Sequence, residues 1–263
     1  MPQKHQGISR QVKAHGVARV ISKRGFCSRS IAENLVREGR VSLRGKIVRD
    51  PETPTFESDE ILVDGTPVEA AQKFYFAMNK PRGIVTTASD EKGRKTVMDL
   101  FREQYTKLFP GKPVPHISPV GRLDAASEGL LLFTNDTKWA DALLNPKDSG
   151  SGAGMTTHTK IYRVQIKDHP TAEELGQMEA GFNVPPRVFG EKEEFMHAER
   201  AVLHSEGEKN CWLEITLSEG KNREIRRMLA HLGYEVMRLM RTQFDKSTLG
   251  NLKPGEIREI KPR

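Results

Sequence analysis

Cysteine is nearly absent: Cys27 and Cys211 are the only two thiols in 263 residues, far apart and in no metal-ligand spacing. That excludes a disulfide framework and a cysteine-built metal module, and makes a reducing cytoplasm the expected compartment. No apolar run approaches the roughly 20 residues that a membrane span needs. The opening segment MPQKHQGISRQVKAHG lacks the apolar centre of a secretory signal. Hydrophobic residues make up 36%, enough for a core, and 29% charged residues imply a well-solvated surface. The length fits one large domain or two ordinary ones. Repeats are absent, and the eight histidines are scattered and carry no assigned role.

Charge is abundant and unevenly placed. Residues 1–50 hold twelve Lys/Arg against three acids, a net of +9, while the remaining 213 residues sum to −2. Such a segment is either a solubilising tail or a folded polyanion-binding module, and a core pattern separates the two. Val17, Val20 and Ile21 recur at helical spacing before the stop at Gly25. Ser30 with Glu33 reads as a capping box for a second helix, with Ile31, Leu35 and Val36 as its apolar stripe and Gly39 as its end. A hairpin over 41–48 turns at Arg44-Gly45, and a third strand, 61–63, closes at Asp64-Gly65. The helices would present Lys23, Arg24, Arg29, Arg37 and Arg40 as a folded basic face. The expected organisation is a basic tail (1–15), a polyanion-binding module (16–66), a linker (67–72) and a larger domain (73–263).

In the larger domain the segment from Lys73 to Met78 reads as a strand ending at the breaker Asn79-Lys80-Pro81-Arg82-Gly83, whose Lys80 and Arg82 either face a polyanion or sit in a solvated turn. Val97 opens a short helix, and strands are expected over 130–133, 161–166 and 212–217. Residues 222–232 form a helix with Ile225, Met228, Leu229 and Leu232 inward and Gly233 as cap. Residues 104–117, with three prolines, and the Gly/Ser-rich 146–159 look loose. Strands mixed with occasional helices, without strict alternation, indicate an α+β fold: a central mixed, largely antiparallel sheet flanked by helices.

The most distinctive string is GRLDAASEGLLLFTND (121–136). Asp124 stands before a strand that must be buried, where a carboxylate can be partly desolvated and still reach a substrate; it could equally be a helix N-cap or a turn residue. Asp136 and Glu128 suggest a glycosidase-like carboxylate pair with Asp124, but Asp136 lies beyond a strand of roughly 13 Å at ~3.3 Å per residue.

This string resembles the central motif of pseudouridine synthases, in the branch containing the small-subunit ribosomal enzyme and its large-subunit relatives. KFYFAMNKPRGIVTT (73–87) is similar to that branch's first strand, Lys160-Ile161-Tyr162-Arg163-Val164 to its tyrosine strand, and WLEITLSEGKNREIRRMLAHLG (212–233), followed by Arg241 and Leu249, to its last motif. The N-terminal module resembles a small RNA-binding domain (alpha-L type) first described in a small-subunit ribosomal protein. The loop 146–159 is longer than its family counterpart.

The resemblance implies site-specific isomerisation of a flipped uridine in ribosomal RNA, with a weak lean to the large subunit. It implies Asp124 as the essential carboxylate, Arg226 as the cation paired with it, and Tyr162 packed on the base. Arg122 would fill the space the base leaves. Without the resemblance, Tyr162 reads as a sheet residue and Arg226 as a solvated helix residue, while Arg223 and Arg227 read as phosphate contacts or solvated cations. The reaction is redox-neutral, so no metal or organic cofactor is expected. The expected partner is ribosomal RNA or an assembly intermediate, met by a monomer away from membranes. The rival readings are a non-catalytic RNA-binding or assembly factor of the same fold, and a glycoside hydrolase.

Overall fold

A computed structural model describes residues 14–69, 72–87, 90–145, 158–186 and 192–262. The chain divides into two units, 1–73 and 74–263.

In the first unit, β1 (His15–Gly16) leads into α1 (Val17–Lys23) and α2 (Arg29–Arg37). β2 (Val41–Leu43), β3 (Lys46–Val48), β4 (Pro54–Thr55), β5 (Ile61–Val63) and β6 (Thr66–Pro67) follow. The order β3-β2-β5-β6 is antiparallel throughout, and β1 pairs with β4. Val17, Val20, Ile21, Leu35, Val36, Val41 and Val63 form the core. Two sequence expectations shift here. Helix α2 is capped by Ser28, whose hydroxyl accepts from the Ile31 amide, rather than by Ser30. That earlier start turns Ile31 outward, 52% exposed, and puts Ala32 in the stripe. The expected linker also begins too early, since Thr66 and Pro67 pair with β5 and Val68 is buried in this core.

The second unit contains β7 (Tyr75–Lys80), α3 (Val97–Leu108), β8 (Ser118–Val120), β9 (Glu128–Thr134), α4 (Thr137–Leu144), β10 (Lys160–Lys167) and α5 (Ala172–Ala180). It continues with β11 (Phe182–Val184), β12 (Glu194–Met196), β13 (Arg200–Glu206), β14 (Asn210–Leu217), α6 (Glu224–His231), β15 (Val236–Phe244), β16 (Ser247–Thr248) and β17 (Ile257–Glu259). The central sheet runs β13-β14-β10-β15-β9-β7-β17, with β16 on β15 and β8 on β9. Among the described residues β9 against β15 is its one parallel pairing; the others are antiparallel. The α+β expectation holds.

The apolar run in β9 follows from burial on both sheet faces: Leu131 and Phe133 join one cluster, Leu130 and Leu132 the other. By contrast, β14 alternates, sending Cys211, Leu213, Ile215 and Leu217 into a single cluster. The parallel pairing depends on Gly129, at φ 100°, because a Cβ there would collide with the Arg241 carbonyl oxygen. Helix α3, opened by a Thr96–Asp99 capping box, extends to Leu108, so residues expected to be loose are helical up to there. Most of the Gly/Ser-rich stretch, 146–157, lies outside the described residues. Among those described, no helix is long and apolar enough to cross a membrane.

Candidate active site

The segment leading into β9 has no regular structure of its own, so its backbone polar groups need partners from elsewhere. It finds them at five consecutive carbonyls. Thr86 Oγ1 donates to Leu123 O at 2.7 Å. Lys80 Nζ donates to Asp124 O at 3.1 Å and to Ser127 O at 2.8 Å. The Gly83 amide donates to Ala125 O at 2.7 Å. Arg226 Nη2 donates to Ala126 O at 3.2 Å. Two separate pieces of chain, residues 80–86 and α6, thus pin the turn, and the Ser127 amide closes it on Asp124 O at 3.0 Å.

The backbone of Asp124 is fixed, yet its side chain is 41% exposed and projects into a cavity of about 590 Å³. Arg122, Tyr162, Lys160, Arg223, Glu224 and Arg241 are among the other lining residues. No helix follows Asp124, since β9 begins at Glu128, and the helix-cap reading falls away. Asp136, the distant acid of the run, instead caps α4 by accepting from the Lys138 and Trp139 amides, and takes the Tyr75 hydroxyl at 2.9 Å. Glu128 pairs with Arg238 at 2.9 Å. Neither carboxylate is available as a glycosidase partner.

The expected pairing of Arg226 with Asp124 is not formed. The cation beside the carboxylate is Arg223, with Nη1 3.6 Å from Oδ2. Arg223 precedes α6 in the left-handed region, φ 52°, a conformation that costs a non-glycine residue energy and recurs at functional sites. Arg226, one turn on, spends its guanidinium on Ala126 O and on Val236 O at 3.3 Å. Burial pushes its pKa down, Arg223 adds to that, and Asp124 opposes. Tyr162 is 8% exposed and in register with Ile215 and Arg241 on the neighbouring strands.

Lys80 departs furthest from expectation. It is fully buried, its ammonium donating also to Pro81 O at 3.1 Å, and so it is a strut of the aspartate turn rather than an RNA-facing cation. Burial pulls its pKa down to about 8, against the charges of Asp124 and Glu128. Arg82 is exposed, with a 3.4 Å bond to Met237 O. Arg122 is exposed at the cavity wall. Arg227 is tied to Glu194 and to Pro185 O, leaving its side chain 13% exposed, which does not suit a phosphate contact.

The basic face of the first unit is weaker than the first fifty residues suggest. Residues 16–66 hold nine Lys/Arg against eight Asp/Glu, because acids beyond position 50 fold back onto the cations. Arg24 is turned inward onto the carbonyls of Val68, Glu57 and Asp59. Lys23 meets Glu57, Arg29 meets Glu33 and Glu52, Arg37 meets Glu33, and Arg40 meets Asp64 and Glu38. Except for Arg24 these are surface pairs that water and salt weaken, and phosphates can compete for them. Arg24 is a structural clamp.

Sequence reasoning missed Lys160 and Glu224 in the cavity wall, and treated Arg241 only as part of a motif. A lysine flanking a strand and an acid opening a helix carry no signal of burial.

The chain is similar to known proteins along nearly its whole length. The family model described as RNA pseudouridylate synthase matches residues 74–231, and the S4 domain model matches residues 17–61. The ribosomal large subunit pseudouridine synthase B of Bacillus subtilis is 34% identical over 245 residues, spanning 93% of this chain and 91% of that one. An uncharacterized RNA pseudouridine synthase of Aquifex aeolicus is 32% identical over 252 residues, spanning 93% and 89%. A crystal structure of a pseudouridylate synthase superposes with a TM-score of 0.58 at 26% identity, covering 94% of this chain and 96% of that one. The matched region of the larger unit contains the tethered aspartate turn, the tyrosine strand and α6, and on these grounds the chain belongs to the RNA pseudouridylate synthase family and carries an S4 domain ahead of its catalytic unit.

Proposed function

We propose that this enzyme converts a specific uridine of large-subunit ribosomal RNA to pseudouridine in the cytoplasm, with Asp124 as the reacting carboxylate. The observation that carries the assignment is the turn itself. Five successive carbonyls are restrained while the one carboxylate of the turn stays free to meet a ligand in the cavity. Positioning of this kind is what an oxygen acting at a sugar carbon requires, since an error near 1 Å costs on the order of 100-fold in rate.

In the reaction the N1–C1′ bond breaks, a C5–C1′ bond forms, and the proton lost from C5 is balanced by one gained at N1. No electrons enter or leave. The base must leave the helical stack to turn over, which calls for a cavity and an aromatic wall. The cavity beside Asp124 and the Tyr162 ring suit these needs. Arg122 fits the gap left in the RNA, and Arg223 sets a positive charge beside the carboxylate. The large-subunit assignment rests on likeness to the Bacillus subtilis enzyme. Mapping pseudouridines in ribosomal RNA from cells lacking the protein tests it: one large-subunit site should vanish. An unchanged large-subunit map would overturn that assignment.

A further inference from the structure

An aromatic pair lies uncovered beside the cavity. Side chains alternate along β12, so Met196 is buried while Phe195 and His197, two residues apart, share the outer face. Phe195 is 53% exposed, the most exposed phenylalanine among the described residues, although burying a ring of that size is favourable. The ring is nonetheless seated. His197 lies nearly parallel to it, with planes 28° apart and ring centres 6.1 Å apart. Gly181, at φ 82° where α5 ends, makes room for the pair: a Cβ there would collide with the Phe195 ring and lie 2.9 Å from His197 Cβ. Asn183, opposite Phe195 in the hairpin, is itself exposed.

The pair is joined to the cavity wall. Phe195 O accepts from Lys221 Nζ at 2.8 Å, and Glu219 Oε1 meets Lys221 Nζ and lies 4.0 Å from His197 Nδ1. Glu219, Gly220 and Lys221 line the same cavity as Asp124 and Tyr162. The acids around the rings are engaged: Glu219 with Lys221, Glu199 with the Ser218 hydroxyl at 2.6 Å, and Glu194 with Arg227. Two rings are too small a patch for a protein partner, whose interfaces take roughly 800 Å² a side. A single nucleobase fits them. A nucleotide that leaves the stack uncovers a face of each neighbouring base, and an aromatic side chain covers such a face whatever the base.

We propose that Phe195, braced by His197 and Gly181, is a stacking platform for a base beside the flipped uridine, holding the strand where it enters or leaves the cavity past residues 219–221. This assignment rests on reading the cavity as the uridine site.

The test is a cycle between one ring of the protein and one base of the RNA. Binding is measured for wild type, Phe195→Ala and Phe195→Trp on a ribosomal RNA fragment carrying the converted uridine. The fragment is intact or has a single abasic nucleotide at one of the neighbouring positions on either side of that uridine. Phe195→Ala should bind the intact RNA about 5–150-fold more weakly, the share of one stacked base. One abasic position should weaken wild type by a similar factor and Phe195→Ala hardly at all, while Phe195→Trp should behave as wild type. The salt slope should not change, because no charge is removed. Phe195→Ala binding the intact RNA within about twofold of wild type, or losing the same factor on every abasic RNA, overturns the proposal. An exposed ring can be removed with little effect on the fold, which thermal unfolding checks, and the dependence on abasic position decides even if Tm falls. Conversion of the uridine by Asp124→Asn separates the two levels: activity surviving there would sink the uridine-site reading, whatever the binding cycle shows for Phe195.

Discussion

Replacing Lys80 by methionine keeps most of the side-chain volume and removes three charge-assisted bonds, to Pro81 O, Asp124 O and Ser127 O. Each is worth about 1.5–3 kcal/mol net. Burial opposes them: a pKa pulled from 10.5 to about 8 represents about 3 kcal/mol against the charged form. The balance leaves a loss of about 2–6 kcal/mol in the second unit. For a domain of this size about 1 kcal/mol moves Tm by roughly 2–4 °C, so Tm should fall by about 4–24 °C. The Asp124 and Ser127 carbonyls would also lose their anchor, and turnover should drop on the order of 100-fold as the carboxylate drifts. RNA affinity should stay near wild type, because a fully buried ammonium touches no phosphate. Calorimetry, single-turnover conversion and filter binding read the three quantities separately. Unchanged Tm with weakened RNA binding would refute the strut and return Lys80 to the RNA surface.

Arg226→Met should release Ala126 O and Val236 O and lower single-turnover rate about 100-fold with RNA affinity kept. Arg223→Ala should lower it roughly 10-fold by removing the charge 3.6 Å from Asp124, and a normal rate for Arg223→Ala would make that contact incidental. Arg24→Met should weaken hydrogen-exchange protection in the first unit while leaving the salt slope of RNA binding within less than about 0.7–0.9, the share of one phosphate contact; a larger drop in slope would place Arg24 on RNA. Glu224 has its carboxyl pushed up to about 7 by burial and by Glu219, so between about pH 4.5 and 7 the folded chain keeps a proton that the unfolded chain has lost. Stability should therefore fall as pH rises through that window, by at most about 2–3 kcal/mol, and Glu224→Gln should remove the fall; denaturant unfolding at pH 4.5 and 7.5 that shows no difference between the two proteins would contradict this.

What could be read from the sequence was what depends on period. The run of β9, the alternation of β14 and the inward stripe of α6 come from side-chain spacing alone, and each lies where expected. What could not be read depends on distant backbone. Lys80 beside a Pro/Gly breaker looks solvated until carbonyls 44 and 47 residues away close over it. Choosing Arg223 rather than Arg226 as the neighbour of Asp124 requires the left-handed backbone at Arg223, which an arginine does not advertise. The basic face is weaker than its cations suggest for a similar reason: cations concentrated before position 50 meet acids concentrated after it, and only the fold brings them together.

Asp124→Asn tests the central claim most directly. The amide matches the carboxylate in size, and Asp124 holds its place through its backbone carbonyl, so fold and RNA affinity should persist. An amide is a poor nucleophile and a poor base, and conversion of the mapped uridine under single-turnover conditions should drop to background. Conversion by the folded, RNA-binding variant at a tenth of the wild-type rate or more would contradict Asp124 as the reacting group.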